Sequence, residues 1–160
     1  MSLEIERKFL VVSDAFKADS YKKYTIKQGF LNTDKNAVVR IRITDDEAFI
    51  TIKGKSNKSG TTRFEWEKSI SLDESENLIL LSKNSLIVKT RYLVKVKNHT
   101  FEVDIFSEDN EGLIIAEIEL ENEDEIFVKP HWLGKEVTGD KKYYNVNIAK
   151  NPYKNWIKNN

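Results

Sequence analysis

The chain has 160 residues, with 26 Lys+Arg against 26 Asp+Glu, two His, two Pro, six Gly and no Cys. That length suits one domain, and the lack of Cys excludes disulfides, thiol nucleophiles and Cys-ligated zinc or iron–sulfur sites. Balanced charge argues against a generic nucleic-acid binder, no apolar run reaches the roughly 20 residues of a membrane span, and MSLEIERKFL holds no signal-peptide core, so a cytoplasmic single domain over residues 1–160 is expected.

Alternation of apolar and charged residues dominates the chain and predicts strands with two chemically different faces. Residues 3–12 set Glu4, Glu6 and Lys8 against Ile5, Phe9 and Val11. Residues 24–31 (YTIKQGFL) predict a second strand, and the Asn- and Asp-rich stretch 32–36 a turn. Residues 37–44 place Arg40 and Arg42 opposite Val39, Ile41 and Ile43; residues 47–54 place Lys53 opposite Ile50 and Ile52. A polar loop at 55–61 precedes TRFEWEKSISL, with Arg63, Glu65 and Glu67 opposite Phe64 and Trp66. A helix follows, with Asp73 as its cap, Glu76 three residues on, and an apolar stripe of Leu78, Ile79 and Leu81. Three further strands are predicted over 87–97, 99–106 and 113–121. They carry Lys89 and Arg91, then Glu102 and Asp104, then Glu117 and Glu119. From Glu123 to Asn160 the pattern predicts mostly helix, broken by Pro130 and Gly134, with Asp140 capping KKYYNVNIA.

On one half-buried strand a polar face simply meets water. Here charges recur at i, i+2 on strand after strand, opposite Ile, Val, Phe and Trp. Either an open sheet with one wet face or a closed barrel with its apolar outside covered by helices satisfies this. In the barrel, Lys8, Arg40, Arg42, Lys53, Arg63, Lys89 and Arg91 converge with Glu4, Glu6, Glu65, Glu67, Asp104, Glu117 and Glu119. Such a lumen suits a ligand of both signs, a triphosphate with divalent metal. Guanidinium forks match phosphate oxygens, and paired carboxylates suit Mg²⁺ or Mn²⁺. Trp66 and Trp132 are expected as core or helix-docking residues rather than substrate platforms, and His99 and His131 in loops or at the surface.

Glu4-Ile5-Glu6-Arg7-Lys8 resembles the ExExK signature of the CYTH superfamily, the triphosphate tunnel metalloenzymes. It is followed in order by QGFL (28–31), RIR (40–42), IKG around Lys53, RFEWE (63–67), KTRY (89–92), Asp104, EIE (117–119) and WLGKEVTGDKKYYN (132–145). The resemblance implies an α+β, mainly β fold: a closed eight-stranded antiparallel tunnel with flanking helices. It implies phosphate binding by Lys8, Arg40, Arg42, Lys53, Arg63, Lys89, Arg91 and, at the tunnel mouth, Lys142. It also implies Mg²⁺ or Mn²⁺ binding by Glu4, Glu6, Asp104, Glu117 and Glu119, with Glu65 and Glu67 lining the tunnel as ligands or as partners of the Arg residues. Glu6, Lys8 and Lys89 fall closest to the chemical step. Relatives that favour tripolyphosphate often read QGYL, where this chain has Phe30.

The resulting expectation is metal-dependent hydrolysis of the terminal phosphoanhydride of a small-molecule triphosphate, with no nucleic-acid or membrane partner and a homodimer by analogy only. Adenylyl cyclase chemistry in the same tunnel and a non-catalytic polyphosphate-binding module are the alternatives.

Overall fold

The computed structural model describes residues 2–32, 34–82 and 86–156. Nine strands form one antiparallel sheet: β1 (Ser2–Val11), β2 (Ser20–Asn32), β3 (Ala37–Ile43), β4 (Ala48–Gly54), β5 (Thr62–Ile70), β6 (Ile87–Val96), β7 (His99–Phe106), β8 (Ile114–Glu119) and β9 (Leu133–Glu136). Their order is β5-β4-β3-β2-β6-β7-β8-β1-β9, and β1 also pairs with β5. The sheet therefore closes into a ring of eight strands, with β9 added outside. β1 makes the closure: Ser2–Ile5 pair with β5, while Glu6–Leu10 pair with β8.

The face opposite the charges forms the main apolar core. Phe9, Val94, Phe101, Val103, Ala116 and Ile118 pack there with Phe16 of the short helix α1 (Phe16–Asp19) and with Trp132. Phe16 and Phe101 both meet the Trp132 ring edge-on, at 5.8 and 5.4 Å between centroids. Trp132 is thus core as expected, but Trp66 is not: 44% of its surface is exposed, on the outside of β5.

A second apolar cluster lies on the inner face. Phe30, Val38, Ile87, Phe106 and Ile115 each stand two residues from an inward charged or polar position (Gln28, Arg40, Lys89, Asp104, Glu117). They share that face and pack against Ile148 and Ala149 of α3 (Asn145–Lys150). The expected helical cover of the barrel's outside is therefore only part of the arrangement, because α3 instead packs against the inner face at one end of the ring.

Two boundaries differ from expectation. Helix α2 (Leu72–Ile79) is capped by Ser71, whose side chain accepts from the Glu74 amide while the Glu74 carboxylate accepts from the Ser71 amide. Asp73 lies inside the first turn. Of the predicted stripe, Ile79 is buried and Leu81 is 63% exposed. The C-terminal region is mostly irregular: β9 replaces predicted helix, and only 3-10 turns and α3 follow. Asp140 does cap, but over the 3-10 turn Lys141–Tyr143, accepting from the Lys142 amide. The predicted helix at 157–160 and Thr33 of the predicted turn lie outside the described residues.

Helix α2 rides closely over β2 at Gly29. A Cβ there would stand 2.2 Å from Ser82 Oγ and 2.6 Å from Ser82 Cβ. Gly29→Ala is expected to lower unfolding free energy by about 1–3 kcal/mol, the usual penalty of overpacking. Urea denaturation of the variant beside wild type checks this, and unchanged midpoints would refute it.

Candidate active site

The ring encloses a cavity of about 170 Å³ lined by seven basic side chains (Lys8, Arg40, Arg42, Lys53, Arg63, Lys89, Arg91) and seven acidic ones (Glu4, Glu6, Glu65, Glu67, Glu102, Glu117, Glu119). An eight-stranded ring is just wide enough for its inward side chains to meet. Most of the charges pair across it. Lys53 Nζ lies 2.8 Å from Glu4 and 3.1 Å from Glu65, with Arg63 3.9 Å from Glu4. Lys8 Nζ stands 3.7 Å from Glu117 and donates to the Tyr143 carbonyl at 3.1 Å. Lys89 Nζ lies 2.8 Å from Asp104 and donates to Asn145 Oδ1 at 2.9 Å.

The two arginines of β3 differ. Arg42 Nε donates to Gln28 Oε1 at 3.0 Å, a neutral acceptor. Arg40 donates from Nη2 to Thr51 Oγ1 at 3.1 Å and sees Glu67 only at 3.5 Å, while its buried Nε has no hydrogen-bond partner. Burial, then repulsion from Arg42, pushes Arg40 down to about 9. A guanidinium stays protonated in proteins, so the shift expresses an electrostatic cost that an anion beside Arg40 would remove.

Two predicted site residues stand elsewhere. Asp104 does not line the cavity. It is inward-facing but only 2% exposed, covered by its partners, where it accepts a two-point bond from Arg91 at 2.8 and 2.9 Å and pairs with Lys89. Although burial opposes it, Arg91 and Lys89 hold its carboxyl down at about 2. Both oxygens of Asp104 are thus engaged by Arg91 and Lys89, an arrangement that orients the two cations. Lys142 is exposed outside the tunnel, its ammonium 4.3 Å from the Trp156 ring centroid and 5.7 Å from that of Tyr143. Lys142 sits within the 3-10 turn Lys141–Tyr143 and is not among the residues that line the cavity.

Four lining or supporting residues were not anticipated: Glu102, 3.2 Å from Arg91; Gln28, which bridges Arg42 and Asn145; Asn145; and Tyr144, whose ring carries Lys8 Nζ at 5.5 Å and Arg63 at 5.9 Å. The signal for the last two was the YYN that ends WLGKEVTGDKKYYN. His99 begins β7 bonded to Glu125, and His131 is exposed.

The CYTH domain model matches residues 2–150. The chain belongs to the CYTH family. It is 44% identical over 157 residues to the inorganic triphosphatase of Acetivibrio thermocellus, covering 98% of this chain and 99% of that one. It is 35% identical over 150 residues to the inorganic triphosphatase of Nitrosomonas europaea, covering 91% and 96%. The crystal structure of the inorganic triphosphatase NE1496 superimposes with TM-score 0.66 at 34% identity, over 93% of this chain and 95% of that one. The Hippeastrum protein HpAC1, at 15% identity and TM-score 0.60 over 74% and 80%, shows the fold alone. No helix among the described residues is long and apolar enough to cross a membrane.

The acids of this CYTH tunnel have the chemistry of an oxygen-donor cation site. Glu6 sits opposite Glu119 in register, and Glu117 accepts a side-chain hydrogen bond from Glu6. Burial, then Glu117 and Glu4, push Glu6 up to about 8, while Glu119 is raised by burial, Glu4 and Glu102. A proton therefore sits where a cation would serve. Among the described residues no three carboxylates or imidazoles are drawn together as a finished coordination set. Glu4, Glu6, Glu117 and Glu119 are the residues that fit this role.

Glu6 is protonated below about pH 8 in the cation-free protein, and a cation must displace that proton. Mn²⁺ affinity is therefore expected to rise with pH and level off above about 8. Calorimetric titration at about pH 6.5 and 8.5 should show proton release at the lower value, and Glu6→Gln should abolish the pH dependence. Equal wild-type affinity at both values would contradict this. Asp104→Asn, by contrast, leaves Arg91 and Lys89 short of a buried counter-charge and should cost about 3–5 kcal/mol of stability. The Mn²⁺ affinity of its folded form should stay within a few fold of wild type, and a collapse of that affinity would return Asp104 to the metal ligands.

Proposed function

We propose that this CYTH protein hydrolyses the terminal phosphoanhydride of a triphosphate held in the tunnel, inorganic tripolyphosphate above all, with Mg²⁺ or Mn²⁺ as cofactor. The observation that carries the reading is Arg40, a buried guanidinium beside Arg42 with an unpartnered Nε on the cavity wall. Two adjacent buried arginines, one held by a neutral amide and the other with Glu67 no nearer than 3.5 Å, ask for a further anion, and their planar forks suit phosphate oxygens. Support comes also from the inorganic triphosphatases to which the chain is 44% and 35% identical.

The chain's own residues would act as follows. Arg40, Arg42, Lys53, Arg63 and Arg91 orient the triphosphate and meet the charge that builds on its non-bridging and leaving oxygens, which is most of what phosphoryl transfer asks of a protein. Lys8 and Lys89 now donate to a backbone carbonyl and to the Asn145 amide oxygen. Those acceptors stand in for phosphate oxygens that would take the same protons. Phe30 lies at the apolar end of the cavity, in one cluster with Val38 and Ile148, and gives the wall there an apolar ring without a proton donor. Glu4, Glu6, Glu117 and Glu119 would hold a divalent cation, which when bound would supply charge neutralisation and lower the pKa of a bound water. A water oxygen bonds to the terminal phosphorus as the bridging P–O bond breaks, giving orthophosphate and pyrophosphate from tripolyphosphate.

Product analysis tests the reading. Purified protein with tripolyphosphate or ATP and Mg²⁺ or Mn²⁺ should release orthophosphate, and Glu6→Gln should release none. Arg40→Ala should lower kcat by about a hundredfold, as loss of a fixed oxyanion donor does. Cyclic AMP with pyrophosphate would move the function to cyclase, and binding without turnover would leave a polyphosphate-binding module.

A further inference from the structure

The tunnel has two mouths of opposite sign. Where Val38 meets α3, the cavity opens into a vestibule of about 700 Å³ that shares Val38, Arg63, Tyr144 and Val146 with it. Lys35, Lys55, Lys58, Lys141 and Lys150 rim this vestibule, and among the described residues no carboxylate lines it. The other mouth lies at the start of β7 and the end of β8, the ends of those strands away from α3. Glu102, Glu119, Glu121 and Glu125 line it with His99, without a Lys or Arg.

The vestibule is held by specific contacts. Gly60 and Gly139 both have positive φ, 79° and 78°. A Cβ on Gly60 would lie 2.3 Å from Gly139 Cα, and one on Gly139 would lie 2.7 Å from the Ser59 carbonyl oxygen. The loops at 55–61 and 137–140 therefore meet backbone to backbone, which only glycine permits. Ser56 Oγ lies 3.3 Å from the Tyr144 hydroxyl, tying the first loop to the tunnel wall. The Tyr144 ring stands at the boundary, with Arg63 and Lys8 on it. An anion passing inward would meet lysines, then Arg63, then Lys8.

From this geometry we infer that the triphosphate reaches the tunnel through the lysine-rimmed vestibule, past Tyr144, and that Lys55, Lys58 and Lys150 set how fast it arrives. The inference rests on the triphosphatase reading. Clefts lined by one sign of charge focus the field and raise association rates by about 10–10³-fold. The carboxylate mouth repels the same polyanion, so the sign difference gives the tunnel a direction. Steering of this kind fades with salt, since the Debye length is about 10 Å at 0.1 M.

The test is kcat and KM for tripolyphosphate with Mg²⁺ at about 20 mM and about 300 mM NaCl. In K55E/K58E, kcat/KM should fall on the order of tenfold at low salt, with kcat within about twofold of wild type and the deficit shrinking at high salt. Lys150→Glu, on α3, should show the same split, so that a disturbed 55–61 loop cannot mimic the effect. Glu121→Lys, at the other mouth, should stay within about twofold. Wild-type kcat/KM in both lysine variants at low salt would overturn the inference. So would a Glu121→Lys gain as large as the lysine variants' loss, which marks net charge alone. Wild-type protein without any turnover would overturn the triphosphatase reading and this inference with it, a result distinct from turnover that ignores the vestibule charges.

Discussion

Charge placed inside a closed sheet must be matched, because an ionised group taken out of water costs several kcal/mol unless an opposite charge or hydrogen bonds replace the lost hydration. The register of the strands supplies most of the matching. Lys53 faces Glu65 across β4–β5, Glu4 faces Arg63 across β1–β5, Lys8 faces Glu117 across β1–β8, and Arg91 faces Asp104 across β6–β7. Directly opposite residues are the stabilising unit of an antiparallel sheet. A one-residue slip would send every one of these charges to the apolar outer face. Pairing and register therefore enforce each other.

The same register shows where matching stops. Arg40 stands between Phe30 and Thr51, and Arg42 between Gln28 and Phe49, so neither has a carboxylate opposite. Glu6 faces Glu119, and Glu102 faces Glu117, like charges in pairs that should repel. Positive excess thus sits on β3 and negative excess on β1, β7 and β8. Burial and Arg42 push Arg40 down to about 9, and burial with Glu117 and Glu4 pushes Glu6 up to about 8. Both shifts express unmet demand for an opposite charge, one for an anion and one for a cation.

Much of this was legible in the residues, because a period of two assigns each strand and each face at once. Eight strands and the inward charges are where alternation put them. β9 was hidden: LGKE is too short to show a period, and Gly134 within it read as a helix breaker. That glycine instead allows close approach to β1, where a Cβ would stand 2.8 Å from Val12 Cγ1. The α2 cap was misplaced because SLDESE offers the same spacing twice, Ser71 with Glu74 and Asp73 with Glu76. Depth along a strand face was not legible either. Asp104 and Glu102 share a face, yet one is covered by its partners and the other lines the cavity. Which of them can meet a ligand depends on Arg91 and Lys89 from the neighbouring strand. The contribution of Tyr144 and Asn145 depends on α3 packing against the inner face of the ring, a long-range placement that no local pattern encodes.

A ring selected for its own stability would have put carboxylates opposite Arg40 and Arg42 and would have separated Glu6 from Glu119. Either change would remove like-charge repulsion or add a buried pair at no loss to the apolar core, which lies on the other face. The unmatched charges are confined to the cavity, beside pairs that are matched in register within the same strands. Local rules broken in one place while obeyed around it are the mark of a site whose missing partners come from outside the chain. On this physical ground the proposed anion would lie against β3 and the proposed cation against β1 and β8, across the tunnel from each other. The distance that the fold keeps between these two excesses holds them apart when no ligand is bound. Bound between them, a triphosphate with its cation would supply both missing charges at once.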